Sequence, residues 1–423
     1  MQKVDLIIKN AKELVTCAGG TSKPKTGEDL KNLYIINDGW VAIKEDKIVA
    51  VGTEKEIKSK VEITEDTQII DAAGKTVLPG LVDSHTHLAF GGSRENELEL
   101  KLEGAAYLDI LAAGGGILST VRATREATKE ELKATSTKYL NQMLSQGTTT
   151  AEAKSGYGLK TEYEIKQLEV IKELNEEHPV DLVPTFLGAH AIPTEFKGGK
   201  EDRFIDIVVE EMMPAVKEKG LAEFCDVFCE NGVFTVEQSR RVLEKAKELG
   251  FKLKIHSDEI YALGGTEMAS ELNATSADHL LVVTDEGIEK MSEAGVVGVL
   301  LPGTTFNLRE DHYAPARRMI DKGVAIALAT DFNPGSCPTN SMDIIMTIGC
   351  LYLRLIPAEV INAITINAAH AIDRAQSVGS IEEGKQADLV IFDAPNHQYL
   401  CYRFGSNLVE KVVKKGKIVI GGA

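Results

Sequence analysis

Short apolar runs in the middle of the chain, most of them separated by helical patterns, limit the possible folds more strongly than any single motif. They predict strands near residues 78–87, 148–154, 181–190, 224–231, 253–258, 276–283, 296–301 and 324–331. Strands that alternate with helices favour a parallel sheet, and eight such units can close into a barrel. The alternative, an open doubly wound sheet, lacks a Gly-x-Gly-x-x-Gly after its first strand. We therefore predict an α/β fold with a (β/α)8 TIM-type barrel over residues 77–380.

Several of the intervening helices carry a start signal. Thr128, Thr161 and Thr235 each stand three residues before a Glu or Gln, which is the spacing of a capping box. The helix after Thr235 should end at Gly250, because glycine favours helix C-termini. The glycines at 114–116 fall in a long loop after the first barrel strand. They could belong to a mobile lid or contact a phosphate, and the sequence favours neither.

Both ends of the chain contain short strand-like segments with no helical period between them. The segments lie near residues 4–8, 40–42, 47–51, 68–71, 387–392 and 409–420. Lys415-Gly416 predicts a hairpin turn, and residues 19–39 predict a loop. Because neither end can fold alone, we expect residues 1–76 and 381–423 to form one smaller β-sandwich domain beside the barrel.

Composition excludes several classes of function. A net charge of −17 and a pI near 5.1 disfavour nucleic acids and anionic membranes as partners, because such surfaces repel an acidic protein. No apolar run approaches the roughly 18 residues of a membrane span, and no signal-peptide core is present, so a cytoplasmic protein is expected. The six cysteines should be free thiols, and Cys225 and Cys229 fit core packing better than metal ligation.

The first apolar run ends in the pair His85-x-His87. Alternate side chains of a strand share one face, so the two imidazoles could reach one cation together, although such pairs also occur on wet surfaces. Two later runs end in ligand-type side chains, at His256 and Asp331. The C-terminal strand ends of a barrel meet on one face. These four residues therefore predict a mononuclear zinc or iron site with a position open for water.

Three further side chains stand near the same strand ends. Glu259 lies three residues beyond His256, and His190 and His279 end two other runs. Water activated at a metal site can attack a carbonyl or amidine carbon, and the attack needs a proton carrier and a partner for the oxyanion. Glu259, His279 and Asp331 are the catalytic candidates. Each alone could be a surface or hydrogen-bonded core residue, but their joint occurrence at strand ends favours catalysis.

Lys154 ends the second run. A carbamylated lysine could bridge two metal ions, whereas a charged lysine could hold its loop by ion pairing. The second arrangement is commoner, so Lys154 is left out of the predicted site. The histidines in helical or loop contexts are predicted to be structural, namely His178, His312, His370 and His397.

The segment Leu78-Pro-Gly-Leu-Val-Asp-Ser-His-Thr-His87, followed by the later histidines and aspartate, resembles the amidohydrolase superfamily over essentially the whole chain. The resemblance implies a metal-bearing (β/α)8 barrel beside a sandwich made from both chain ends. Longer motifs resemble one branch of that superfamily, which acts in histidine degradation. They are Phe90-Gly-Gly-Ser-Arg94, Gly114-Gly-Gly-Ile117, Lys154-Ser-Gly-Tyr-Gly-Leu159, Phe186-Leu-Gly-Ala-His190, His256-Ser-Asp-Glu259 and Thr330-Asp-Phe-Asn-Pro-Gly-Ser336.

This resemblance implies hydrolysis of 4-imidazolone-5-propanoate to N-formimidoyl-L-glutamate, with Zn²⁺ or Fe³⁺ held by the four predicted ligands, one ion per subunit. It places Arg94, Tyr157 and His190 around the propanoate, and a guanidinium fork suits a carboxylate. The remaining substrate contacts that it implies are Tyr107, Glu259, Asn333, Gly335 and Ser336. Alternatively, Arg94 could form a surface ion pair with Glu95 or Glu97.

Two other functions stay open. A guanine- or cytosine-type deaminase of the same superfamily would share the metal ligands, but a neutral base does not require Arg94 with Tyr157 and His190. A non-catalytic scaffold would keep the fold, but it need not keep an intact ligand set. A homodimer is expected for any of these functions, because symmetric dimers are the commonest assembly and the family favours them.

Overall fold

The computed structural model describes residues 1–103 and 115–421. Within these ranges, eight parallel strands of the middle region form one sheet, in which each strand pairs with the next along the chain. They are Leu81–Asp83, Thr148–Lys154, Asp181–Ala189, Phe224–Cys229, Lys252–Ser257, Ser276–His279, Val297–Leu300 and Ile326–Leu328. Each predicted run overlaps one of them, which confirms the (β/α)8 barrel.

Contacts at the C-terminal edge join the first and last barrel strands. Thr86 forms a parallel bridge with Phe332, and the N–H of His87 donates to the Phe332 carbonyl at 2.9 Å. One layer below, the Asp83 carboxylate accepts the backbone N–H of Thr330 at 3.0 Å and its hydroxyl at 2.6 Å. The segments that carry the predicted ligands are therefore held side by side.

Helices cover the barrel and connect its strands. The described helices are Glu54–Lys60, Asn96–Leu102, Ile117–Glu126, Lys129–Ser145, Thr161–Glu177, Glu201–Ile207, Met213–Glu218, Val236–Glu248, Gly265–Glu271, Asp285–Ala294, Pro302–Leu308, Ala316–Asp321, Met342–Leu351, Pro357–Ala363, Ile366–Ala371 and His397–Tyr402, with 3-10 turns at Gly27–Lys31 and Thr194–Phe196 and a π-helical turn at Val208–Met212. None of the described helices has the length and apolar character that a membrane span needs.

Two predicted capping boxes are confirmed and one is wrong. Thr128 and Thr235 cap their helices with reciprocal hydrogen bonds. At Thr161 the helix has already begun, so this residue is no cap. Its supposed partner, Glu164, instead accepts three backbone N–H groups of residues 156–159, at 2.7, 2.8 and 3.0 Å. Glu164 thus shapes the loop after the second barrel strand instead of capping the helix.

The first predicted run forms two strands rather than one. Thr76–Pro79 belongs to the sheet of the chain ends, and Leu81–Asp83 belongs to the barrel. Between them, a Cβ on Gly80 would lie 2.7 Å from Cγ2 of Thr149. Only glycine fits this crossing between the two sheets. The histidine pair lies beyond the end of the barrel strand, so the bridge across the barrel edge sets its direction.

The strands of both chain ends form a second, mixed sheet, which confirms the smaller β unit. Its strands are Leu6–Val15, Ile35–Lys44, Lys47–Gly52, Gln68–Asp71, Thr76–Pro79, Leu389–Phe392, Val409–Lys414 and Lys417–Ile420, and Gln2–Lys3 pairs separately with Val61–Glu62. The turn Lys415-Gly416 joins the last two, as predicted. The segment 19–39 is only partly a loop, because a strand begins at Ile35. The domain limits at 76 and 380 stay a prediction.

Apolar residues cover both faces of the second sheet. Leu6 and Ile8 face one buried cluster, and Ile7 between them faces another, as the two-residue period of a strand requires. The second cluster includes Ile57, which lies on the helix Glu54–Lys60. No helical period was expected here. One apolar residue in a seven-residue helix is too weak a pattern to detect in sequence.

Candidate metal centre

Five candidate side chains meet at the C-terminal end of the barrel. His85, His87 and Asp331 bring ligand atoms within 4.8 Å of one another, and so do His85, His256 and His279. Nε2 of His85 lies 3.5 Å from Oδ1 of Asp331, and Nε2 of His87 lies 3.4 Å from the same oxygen. The structure thus brings together the four predicted ligands and adds His279 to the group.

Two ring nitrogens show that this group fits a metal ion. Nδ1 of His85 lies 2.6 Å from Oδ2 of Asp278, and Nδ1 of His256 lies 3.1 Å from Oδ1 of Asp226. The Nε2 atoms of both rings are buried and have no hydrogen-bond partner among the residues that the structure describes. A carboxylate on Nδ1 favours the proton there and leaves the Nε2 lone pair for a metal. Leaving such atoms unpaired would cost free energy.

Burial and hydrogen bonding place these groups in the protonation states of ligands. Burial lowers the pKa of His85 well below its ordinary value and that of His256 to about 4. Burial would raise the pKa of Asp331, but the hydrogen bond from His87 and the charge of His279 lower it to about 2. Near neutral pH the site therefore offers neutral imidazoles at His85 and His256 and a carboxylate at Asp331.

Buried charges lie beneath the ligands. This floor cluster consists of Glu152, Lys154, Asp226, Lys254 and Asp278, all of them 0% exposed. Nζ of Lys154 lies 2.7 Å from Asp226 and 2.9 Å from Glu152. Nζ of Lys254 lies 3.3 Å from Glu152 and 3.6 Å from Asp278. The two lysines thus neutralise the carboxylates that orient the histidine ligands.

Lys154 forms ion pairs, as predicted, but its partners lie in the floor cluster rather than in its loop. Burial lowers the pKa of this lysine, yet the charges of Asp226 and Glu152 outweigh burial and raise it above the ordinary value. The lysine therefore stays charged.

The sequence contained a signal for the floor cluster that our interpretation missed. Glu152 and Lys154 stand two residues apart on one strand, as do Lys254 and His256 on another. Residues two apart share a strand face. Charged side chains at alternate positions of a buried parallel strand indicate a polar layer inside the barrel. Our sequence interpretation instead treats the run around Lys254 as apolar.

Glu259 lies beside the ligand group. Its side chain is 16% exposed, and Oε1 lies 3.6 Å from Nδ1 of His279. Burial raises the pKa of Glu259, which suits a carboxyl that exchanges protons near neutral pH. Glu230 accepts the next two backbone N–H groups, of residues 260 and 261, at 2.9 and 3.3 Å. His279 and Asp331 have φ values of 80° and 53°, a left-handed conformation that non-glycine residues adopt only under constraint.

The predicted substrate contacts lie to one side of the ligands. The His190 ring stacks on His87 with centroids 4.8 Å apart, and the Tyr157 ring lies 5.2 Å from His190. Burial raises the pKa of Tyr157, whereas the charge of Arg94 lowers it. Arg94 itself lies against Gly335, in the turn that follows Asp331. These three side chains, with Tyr157 and His190 beside His87 and Arg94 beside the turn after Asp331, make up the proposed substrate wall.

The turn that follows Asp331 is shaped by Asn333. Its Nδ2 donates to the Asp331 carbonyl at 2.7 Å and to the Ser336 hydroxyl at 2.8 Å. Its Oδ1 accepts the N–H groups of Gly335 and Ser336, each at 2.8 Å. These contacts lie inside the turn, so the side chain of Asn333 fixes the backbone of Gly335 and Ser336. The predicted contact of Asn333 with the substrate stays a prediction. Tyr107, and Gly114 of the glycine triplet, lie outside the described residues.

Comparison with known proteins places this geometry in context. Residues 76–419 match the amidohydrolase family. The chain is 60% identical over 417 residues to an imidazolonepropionase of Alkaliphilus metalliredigens, covering 99% of this chain and 98% of the relative. It is 53% identical over 416 residues to an imidazolonepropionase of Streptococcus gordonii, covering 98% of each.

Among solved structures, an adenosine deaminase from Xanthomonas campestris with bound zinc is similar, with a TM-score of 0.69. The match covers 99% of this chain and 93% of that one at 20% sequence identity, so it concerns the fold alone.

Proposed function

We propose that this chain, which belongs to the amidohydrolase family, hydrolyses the cyclic amide C–N bond of 4-imidazolone-5-propanoate to give N-formimidoyl-L-glutamate. The observation that carries the proposal is the position of Tyr157 and His190 beside the ligand His87, and of Arg94 against Gly335 in the turn after the ligand Asp331. A cationic fork with two polar rings suits the carboxylate of a propanoate, and a neutral nucleobase does not require such a group. Identity of 60% and 53% to imidazolonepropionases supports the same substrate.

The proposed cofactor is one Zn²⁺ or Fe³⁺ per subunit, held by His85, His87, His256 and Asp331. The nitrogen and oxygen donors of this set suit either ion. A bound ion supplies Lewis acidity and makes water a stronger nucleophile near neutral pH. The Thr304 hydroxyl donates to Oδ2 of Asp331 at 2.5 Å, which fixes the carboxylate while its Oδ1 faces the histidines.

Glu259 is the proposed proton carrier. In hydrolysis, the oxygen of water adds to the ring carbonyl carbon, the C–N bond breaks, and the leaving nitrogen gains a proton. A carboxyl with a raised pKa can take the proton from water and return it to the nitrogen. The proposed role of His279, whose Nδ1 lies 3.6 Å from Oε1 of Glu259, is to stabilise the oxygen that gains charge. Both assignments are part of the proposal.

The proposed substrate site also includes residues around this wall. Gly335 and Ser336 present backbone from the turn that Asn333 organises, next to Arg94. Tyr107 completes the predicted set. We also propose a homodimer in the cytoplasm, since symmetric dimers are the commonest assembly. Light scattering of the purified protein checks the dimer.

Turnover of a substrate panel tests the function. Purified protein is offered 4-imidazolone-5-propanoate and, separately, guanine, cytosine and adenine, while ring opening and ammonia release are followed. We expect ring opening of the propanoate and no ammonia from the bases. Ammonia from a base, with no action on the propanoate, would establish the deaminase instead. Protein with neither activity and no bound metal would be a scaffold.

A further inference from the structure

Arg94 is held by Glu97. Nε of Arg94 donates to Oε1 of Glu97 at 3.0 Å, and Nη2 donates to Oε2 at 2.8 Å. The side chains are 14% and 2% exposed, respectively. By contrast, Lys31 and Glu28 have the same sequence separation but side chains that are 40% and 87% exposed. The Arg94 pair is therefore not an ordinary surface ion pair, because water screens it far less.

The orientation of Glu97 is fixed by a further contact. Its Oε1 also accepts the N–H of Gly116 at 2.7 Å, and Gly116 is the N-cap of the helix Ile117–Glu126. The carboxylate thus connects a helix start to the guanidinium. A side chain tied in this way loses little further freedom when its partner binds a ligand.

Among the residues that the structure describes, Glu97 alone binds the guanidinium in parallel, and it leaves one edge for a second anion. An arginine carries five N–H donors, and a carboxylate can bind it in parallel at the Nε–Nη2 edge or at the Nη1–Nη2 edge. Glu97 occupies the Nε–Nη2 edge. The remaining donors include those of the Nη1–Nη2 edge, which forms a second fork.

Gly335 lies close against the face of the guanidinium at Nη1. A Cβ built on Gly335 would overlap Nη1 of Arg94 and would lie 2.6 Å from its Cζ and 3.2 Å from Nη2. Any side chain here would push the guanidinium away. The φ of Gly335 is not in the left-handed region, so the close approach to Arg94, rather than backbone conformation, explains the need for glycine.

We propose that Glu97 and Gly335 are positioning residues that make the site specific for a substrate carboxylate. Glu97 holds Arg94 by its Nε–Nη2 edge, and Gly335 has no side chain that would displace the guanidinium, so the Nη1–Nη2 edge stays in position for the anion. This inference rests on the proposed function, because it assumes that the substrate carries a carboxylate near Arg94. It assigns the specificity to a pair of residues that act through Arg94 without entering the reaction.

Glu97→Gln tests the inference, because glutamine keeps the size and loses the charge and one acceptor. Steady-state kinetics are measured with the propanoate substrate and with its neutral propanamide analogue, together with metal content. For the propanoate, we expect KM to rise about 10- to 100-fold with kcat and metal content within about threefold of wild type. The kinetics of the amide should stay within about threefold. Glu95→Gln is the matched control, since this neighbouring carboxylate binds Ser93 rather than Arg94.

Gly335→Ala provides a second test if the Glu97 variant does not fold. The same selective rise in KM for the propanoate supports the inference, and wild-type kinetics in either folded variant overturn it. Arg94→Ala distinguishes failure of this inference from failure of the proposed function. If Arg94→Ala is impaired while both positioning variants behave as wild type, the inference fails and the function stands. If wild-type protein does not open the propanoate ring, the proposed function itself fails.

Discussion

The floor cluster and the Arg94–Glu97 pair both neutralise charge near the same site, but in different surroundings. Every charged atom of the floor cluster lies inside the barrel, where water cannot replace a missing partner. Arg94 lies in the proposed substrate wall with 14% of its side chain exposed, so a ligand or water can bind the guanidinium. Charges in the floor therefore serve rigidity and ligand orientation, while the charge at the wall can serve substrate selection.

The two regions also differ in how they are built. The floor charges come from strands that the barrel brings together, so each lysine contacts carboxylates from more than one strand. The Arg94 pair is local, because Arg94 precedes the helix Asn96–Leu102 and Glu97 lies in the first turn of that helix. Loss of one floor residue should therefore disturb several strands. Loss of Arg94 or Glu97 should stay local.

The largest effect is expected from His256→Ala, which removes a proposed ligand that stands on the floor cluster. We expect metal content to fall below about one tenth of an equivalent and turnover to fall to the detection limit. Elemental analysis and a turnover assay measure both quantities. His178→Ala is the control and should change neither quantity, because His178 precedes the start of the barrel strand Asp181–Ala189, at the end of the barrel opposite the ligands. Normal turnover by a metal-free His256→Ala protein would remove the metal from the proposal.

Glu259→Gln separates chemistry from metal binding. The amide keeps the shape but cannot exchange the proton, so kcat should drop by about 10²- to 10⁴-fold while metal content stays at the wild-type level. Stopped assays and elemental analysis on the same preparation test this. A raised KM with unchanged kcat would instead assign Glu259 to substrate binding.

Lys154→Met tests the floor cluster as a source of stability. The variant leaves Asp226 and Glu152 buried with less cationic charge, so we expect the free energy of unfolding to fall by about 3 to 5 kcal/mol. Lys133→Met is the matched control, because Lys133 pairs with Glu173 and Glu177 near the surface and should contribute only about 0 to 1 kcal/mol. Denaturant unfolding compares them. Equal losses in the free energy of unfolding would show that the buried ion pairs stabilise the protein no more than the exposed ones do.

The smallest effect concerns Asp343, a buried carboxylate outside the floor cluster. Burial raises its pKa to about 6. Since the folded-state pKa exceeds the usual 3.8, the folded state is favoured at low pH, and stability falls as pH rises from about 4 to 6. Asp343→Asn should remove this pH dependence and stabilise the protein at pH 7 by about 1 to 3 kcal/mol.

Thermal unfolding of both proteins from pH 4 to 8 measures this difference. Asp5→Asn is the control of opposite sign, because the hydrogen bond from Lys44 lowers the pKa of Asp5. If Asp343→Asn destabilised the protein equally at all pH values, burial of the charge would not be the cause.

Much of the fold was determined by local sequence. The apolar runs and the caps at Thr128 and Thr235 act over a few residues, so they could be interpreted without knowing the tertiary structure. Part of the candidate site could also be predicted from the sequence, because the barrel topology gathers side chains at strand ends. His85, His256 and Asp331 were therefore predicted to meet, and their ligand atoms do lie in shared groups.

Only the tertiary structure decided which distant groups became partners. Glu164 has capping spacing but binds the loop at 156–159, and Lys254 lies in an apolar run but joins carboxylates of other strands. Glu97 and Gly335 meet at Arg94 although more than 200 residues separate them in sequence. Periodicity reports which face a residue occupies, whereas the partner across the barrel depends on strand order and register. Long-range electrostatic pairing therefore became visible only in the folded chain.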